Sequence, residues 1–204
     1  RLVYDGSAQG AVSFYLENAR SLSLIPLGER QDREGDGRVR AVELTIRDAS
    51  GRPTQSINMG DSFTVELRTV GKLNKAIIGI LVGNVYRQQM IRGNTWENLA
   101  QDVDLVGEDT VRCHFERFPM MHGSYNVHVW IGQRLGARQE LVDYVENAAT
   151  LWVQPVDIYD NGRILDPGGG VAFCRVSWEI EPAVASRVTA GQGPTRQSST
   201  TPTG

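Results

Sequence analysis

An all-β fold, most simply an antiparallel sandwich, is what this sequence predicts, with a barrel as the alternative. Three observations carry the prediction. From Arg38 onward apolar and polar residues alternate at period two, which places one set of side chains on a buried face and the other toward solvent. Seven or more short runs of this kind follow one another. The segments between them have the composition of turns, and no helical pattern is interleaved.

Before the alternation begins, Ala11-Val12-Ser13-Phe14-Tyr15-Leu16-Glu17-Asn18 spaces its apolar residues as a helix does, so a short helix is expected over 8–19. Gly28 to Gly37 is charged, punctuated by glycine and almost free of apolar side chains, the composition of a solvated linker. Residues 1–36 therefore read as a connector. In the first strand Val42, Leu44 and Ile46 oppose Glu43, Thr45 and Arg47, and Asp48-Ala49-Ser50-Gly51 supplies a turn. Phe63, Val65 and Leu67 then oppose Thr64, Glu66 and Arg68. Ile77 to Val82 is apolar on both faces, as befits a central strand covered on two sides. Gly93 to Gly107 holds Trp96 and Leu99 without a period and is expected to be an irregular connection.

Val111, Cys113 and Phe115 next oppose Arg112, His114 and Glu116. Strands around Tyr125–Ile131 and Leu151–Val153 follow, and Val171 to Trp178 reads as a last strand after the turn Gly168-Gly169-Gly170. These runs place the β domain at 37–181. From Ala183 the chain is rich in Ser, Thr, Gly, Pro and Gln and has no aromatic residue, too little apolar area to offset ordering entropy. Residues 182–204 are expected to be a disordered tail.

Composition excludes several classes of function. A net charge of −3 with no basic run argues against a nucleic-acid partner. No apolar run approaches the roughly 20 residues that span a bilayer, and no secretory signal pattern precedes the first strand. Cys113 and Cys174 lie far apart in strand-like segments and read as buried free thiols. With the absence of any N-x-S/T sequon, this is consistent with a cytoplasmic protein. Arg1 at the first position points to a piece of a longer protein.

The glycine run after Asp166-Pro167 lacks the Lys-Ser/Thr of a P-loop and reads as a turn. His114, His122 and His128 fit neither HExxH nor finger spacing, so no metal site and no cofactor is expected. No Gly-x-Ser-x-Gly elbow is present. Glu43, Glu66 and Glu116 alternate outward and read as a solvated face, although two carboxylates at the right separation would also serve a glycosidase.

One alternation differs from the rest. Tyr125, Val127, Val129 and Ile131 form an ordinary core face, but Asn126, His128 and Trp130 point the other way. Thr150, Trp152 and Gln154 do the same, opposed by Leu151 and Val153. Should the two strands pair, two indoles, an imidazole and two amides share one surface. Flat rings stack on the C–H faces of pyranoses, while amides and imidazoles bond hydroxyls, so Asn126, His128, Trp130, Thr150, Trp152 and Gln154 are a candidate carbohydrate-binding set. The same residues would equally suit a face covered by a loop or by a second subunit.

A resemblance adds to this. Gly37-Arg38-Val39-Arg40-Ala41-Val42-Glu43-Leu44, Met59-Gly60-Asp61-Ser62-Phe63-Thr64-Val65, Ile91-Arg92-Gly93-Asn94-Thr95, Gly123-Ser124-Tyr125-Asn126-Val127, Asp143-Tyr144-Val145-Glu146-Asn147-Ala148 and Val176-Ser177-Trp178-Glu179 stand in a telling order. Over roughly 37–180 the chain resembles the C-terminal domain of Wzt-type ATP-binding subunits of ABC transporters that export O-antigen and related polysaccharides. The resemblance implies an immunoglobulin-like sandwich, a homodimer with exchange of the C-terminal strand, and binding of the exported glycan on the cytoplasmic side, peripheral to the inner membrane. It further implies association with a membrane transporter subunit through an ATPase domain. No Walker A motif is present, so no ATP hydrolysis is expected of this chain. A purely structural dimerisation module, locked by Val176 and Trp178, and a glycan hydrolase are the alternatives.

Overall fold

The computed structural model describes residues 25–179. The helix expected over 8–19 and the tail from 182 lie outside them. Eight strands carry the fold: β1 (Arg33–Glu34), β2 (Val39–Asp48), β3 (Ser56–Asn58), β4 (Phe63–Asn84), β5 (Gln89–Asn94), β6 (Val103–Phe115), β7 (Gly123–Leu135) and β8 (Arg138–Gln154). A single helical turn, α1 (Thr95–Asn98), follows β5. All eight strands belong to one curled sheet, antiparallel except where β3 runs parallel to β8.

The curl originates in β4. Its first half pairs with β2 on one side and β6 on the other, and its second half pairs with β7 and β5. The change of partners occurs at Gly71–Ala76, where the register with β6 slips between Leu73 and Ala76. Gly71 has φ +124, and a Cβ there would stand 2.3 Å from the Arg38 carbonyl oxygen, so the turn out of plane needs a glycine. Lys75 is also left-handed at φ 54, and its N–H donates to Asp104 Oδ1 at 2.8 Å. The sequence showed two strands here because the kink interrupts the alternation. Ile77–Val82 is the second half of a 22-residue strand, not a separate one.

Curling brings two inner faces together. Val39, Ala41, Ile46, Val65 and Leu67 from one half meet Ile78, Ile80, Val127, Val129, Ile131, Val145, Leu151 and Val153 from the other in one buried cluster. Phe63, Phe115, Phe118 and Tyr125 close one end with ring contacts between 4.8 and 6.1 Å. The Gly93–Gly107 connection, expected to be irregular, in fact contains the end of β5, α1 and the start of β6.

Three further expectations are corrected. The Gly28–Gly37 stretch is docked, not solvated: Arg30 is 1% exposed, and Arg33 is buried against Asp143. Val171–Trp178 forms no strand; a single bridge joins Ala172 to Met120, and residues 175–179 have no regular structure and are exposed. The two cysteines are free, as expected, but Cys174 is exposed and only Cys113 is partly buried, where desolvation raises its thiol pKa.

The Arg33–Asp143 pair joins the two halves. Arg33 Nε and Nη2 donate to Asp143 Oδ1 and Oδ2 at 2.9 and 2.5 Å, and the guanidinium also reaches the carbonyls of Leu27 and Ala41. Ala41 N–H donates to the same carboxylate at 2.9 Å. Asp143→Ala would strand a buried guanidinium, and urea unfolding should register a loss of about 3–5 kcal/mol. Asp48→Ala removes a carboxylate that bonds a surface turn, and should cost less than about 2 kcal/mol in the same measurement.

Candidate functional site

Strands β7 and β8 pair antiparallel with Tyr125 opposite Leu151 and Asn126 opposite Thr150, so the predicted residues do project from one face. Across β7 the same face continues onto β4, where Gly79 lies opposite Trp130, Leu81 opposite His128 and Gly83 opposite Asn126. Two of these three β4 positions lack a side chain. The trough that Gly83 leaves is filled by its neighbours: a Cβ there would stand 3.0 Å from the Gln88 carbonyl oxygen and 3.2 Å from His128 Nε2, so the imidazole itself packs over the glycine.

The predicted residues divide into three groups. Asn126 and His128 are recessed, at 5% and 4% exposure, with Thr150 half-buried beside them. Among the described residues, neither the Asn126 carboxamide nor the Thr150 hydroxyl has a hydrogen-bond partner. Trp152, 49% exposed, lies at one end, opposite Ser124. Trp130 lies at the other end, and its ring leans away from His128 over Gly132, where an added Cβ would meet it at 2.1 Å. Six residues of β7 separate the rows of the two indoles, about 20 Å at strand rise. They share a face but do not flank one sugar. Gln154 is not available either, because its amide donates to Ser56 Oγ at 3.0 Å.

His128 is held in a defined state. Asn147 N–H donates to Nδ1 at 3.1 Å, so the neutral ring carries its proton on Nε2 and directs it toward Gly83. Nε2 has no partner among the described residues. The ring stacks on Tyr144 at 6.5 Å. Burial pushes the His128 pKa below its ordinary 6.5, opposed by the nearby Glu146 carboxylate and assisted by Arg87.

What sequence reasoning missed is the ion pair between Arg87 and Glu146. Arg87 occupies the turn between β4 and β5 with φ 65, and its guanidinium grips both oxygens of the Glu146 carboxylate, Nε to Oε1 at 2.7 Å. Since β7 runs between β4 and β8, this ion pair spans β7 and roofs the recessed groups. The Arg87 guanidinium holds the Glu146 carboxyl below the usual range. Their pairing gave no sequence signal, because the two residues are 59 apart.

A second feature lies at the opposite edge. Between the free edges of β5 and β6 opens a cavity of about 440 Å³, lined by Leu67, Ile78, Ile80, Ile91, Val111 and Phe115 among others. Its walls are mainly apolar, with Arg92, Asn94, Asn98, Arg112, His114 and Glu116 also reaching it. Among the described residues no cluster of His, Cys, Asp and Glu could hold a metal ion, and no helix is long and apolar enough to cross a membrane.

The family model described as the Wzt C-terminal domain matches residues 30–164. Comparison with curated proteins gives no match. Among solved structures the fold is similar to one titled "Crystal structure of the C-terminal domain of wzt", at 15% identity and a TM-score of 0.61, covering 76% of this chain and 92% of that one.

The depressed His128 pKa has a consequence for stability. Between its folded value and 6.5 the unfolded chain binds more protons than the folded one, so stability rises with pH across that window. The contribution is complete above 6.5 and lost as pH falls toward the folded pKa. Melting curves at pH 7.5 and 5.5 should show a lower Tm at the acidic value, with the difference reduced in His128→Gln.

Proposed function

Since the chain belongs to the family of Wzt C-terminal domains, and is thereby a component of a polysaccharide ABC transporter, we propose that its outer sheet face binds the exported polysaccharide without making or breaking a bond. One observation supports this above others: the Asn126 carboxamide, the His128 Nε2–H and the Thr150 hydroxyl sit together on one recessed face with no hydrogen-bond partner among the described residues, so a ligand can bond them without displacing a protein contact. Hydroxyls of a sugar are both donors and acceptors and suit an amide, an imidazole N–H and a threonine hydroxyl together.

The separation of the rings refines the ligand. Trp130 and Trp152 stand about 20 Å apart along β7, a span for several linked sugars, with the recessed polar groups between them. An extended O-antigen-type chain fits this better than a single monosaccharide. The site would work on the cytoplasmic side, on a domain peripheral to the inner membrane, with the transporter subunit engaged through the ATPase domain of the full protein.

The homodimer has its own support. Val176 and Trp178 are 51% and 87% exposed, and among the described residues neither their segment nor the outer edges of β5 and β6, beside the largely apolar cavity, has a strand partner. The segment beyond Cys174 of a second copy would add a strand there and bury its Trp178, pairing main-chain groups that each edge leaves open. In the immunoglobulin-like sandwich this reading describes, the dimer edge and the glycan face are different surfaces. Hydrolysis is the weaker alternative. Arg47 and Arg112 hold Glu66 below the usual carboxylate range, whereas a glycosidase acid needs its pKa raised.

Surface polysaccharide purified from the organism that makes this protein is the ligand to titrate. Asn126→Ala, His128→Ala and Trp152→Ala should each weaken binding about fivefold, the order of one hydrogen bond or one ring contact. Three folded variants with unchanged affinity would remove this face from consideration. In sedimentation, Trp178→Glu should shift the protein from dimer toward monomer; a dimer that persists would argue against exchange of the terminal segment.

A further inference from the structure

We propose that Arg30, in the segment that precedes the sheet, is a positioning residue for the ligand face, because it sets the tautomer in which His128 meets the glycan. The inference rests on the reading of that face as the glycan site. Arg30 is 1% exposed and stands 116 and 117 residues from the carbonyls it binds. Its Nη1 donates to the Asn147 carbonyl at 2.9 Å and its Nη2 to the Glu146 carbonyl at 2.7 Å. Asp32 completes the clamp, accepting from Nε and Nη2 at 2.7 and 2.6 Å.

These two carbonyls belong to the bulge in β8 where the register with β7 slips between Val127 and Val129. Within the bulge Asn147 is left-handed, with φ 52, and its backbone N–H turns toward His128 Nδ1. An asparagine in this conformation often bonds its own backbone. Here it does not: Asn147 Oδ1 is buried and has no partner among the described residues. The bulge is therefore held from outside, by the guanidinium that pins its carbonyls. With Nδ1 kept as the acceptor, the imidazole proton stays on Nε2, the atom that faces the Gly83 trough. Arg87 and Glu146 face the same ring from the β4–β5 turn and from β8, and Tyr144 stacks on it. None of them addresses Nδ1, so the choice of tautomer falls to Asn147 and, through it, to Arg30.

Nitrogen NMR of the imidazoles in the full chain at pH 7.5 tests the first step without ligand. Wild type should show His128 as the Nε2–H tautomer; a predominant Nδ1–H tautomer would overturn the proposal whether or not any variant folds. Arg30→Lys keeps a cation but cannot bridge two carbonyls and a carboxylate, and should move the His128 signals toward a tautomer mixture. Its affinity for the purified polysaccharide should fall about fivefold, as in His128→Ala, and the double variant should show no further loss. Arg33→Lys disturbs the other buried guanidinium and serves as control: it should lower Tm while leaving the His128 signals and the affinity unchanged. Unchanged His128 signals in Arg30→Lys, or losses that add in the double variant, would dismiss the positioning role. Wild-type affinity in His128→Ala would instead sink the glycan reading, and the spectra would still decide what Arg30 does.

Discussion

The outer edge of β8 governs this molecule. A buried strand must satisfy the polar groups on both its edges, and β8 has β7 along one of them. On the other edge no single strand is long enough. Three short partners share it: β1 beside Tyr144–Val145, the Arg30 guanidinium at Glu146–Asn147, and β3 beside Trp152–Gln154. A guanidinium presents several donors in a fixed plane and needs no backbone continuity, so it covers a bulge that a strand could not follow. The bulge in turn carries Asn147 N–H to His128. The most recessed part of the outer face thus depends on a segment whose composition looks like solvent-exposed linker.

The other half of the architecture follows from β4. One strand serving two sets of partners makes the sheet curl, and curling can be sealed at only one side. Near β1 and β2 it is sealed by the Arg33–Asp143 pair and the Ala41 N–H that shares the carboxylate. Between β5 and β6 it stays open as an apolar cavity. The same curl exposes the outer face of β4, β7 and β8, where Gly79 and Gly83 keep the floor low. Sealing and opening are two results of one kink at Gly71–Ala76.

What was legible in the sequence was whatever repeats locally. The alternation of Tyr125–Ile131 gave both faces of β7 correctly, and the two strands, whose pairing the pattern alone leaves conditional, do pair, with Asn126 opposite Thr150. What could not be read was set by distant partners. Arg30 and Arg33 look like members of a charged run, since Asp143 and the carbonyls of Glu146 and Asn147 lie more than a hundred residues away. Exposure also misled: alternation placed Asn126 and His128 outward, which is right, but could not reveal that the Arg87–Glu146 pair roofs them. Val171–Trp178 has the pattern of a strand, yet among the described residues only its start is paired, through the bridge from Ala172 to Met120.

The roof over the trough raises the question of how a ligand would gain entry, and magnitudes answer it. Arg87 is more than half exposed, and an ion pair so placed contributes at most about 1 kcal/mol, since water competes for both partners. Each hydrogen bond that a ligand hydroxyl made to the Asn126 carboxamide or to His128 Nε2–H would return about 0.5–1.5 kcal/mol. Opening the pair to admit a hydroxyl that makes both would therefore cost less than it returns. The released guanidinium and carboxylate would then be free to bond neighbouring hydroxyls of the same chain. On the reading of this face as a glycan site, a weak roof over recessed polar groups would select ligands by what they can satisfy below, with the indoles of Trp152 and Trp130 as stacking surfaces at either end.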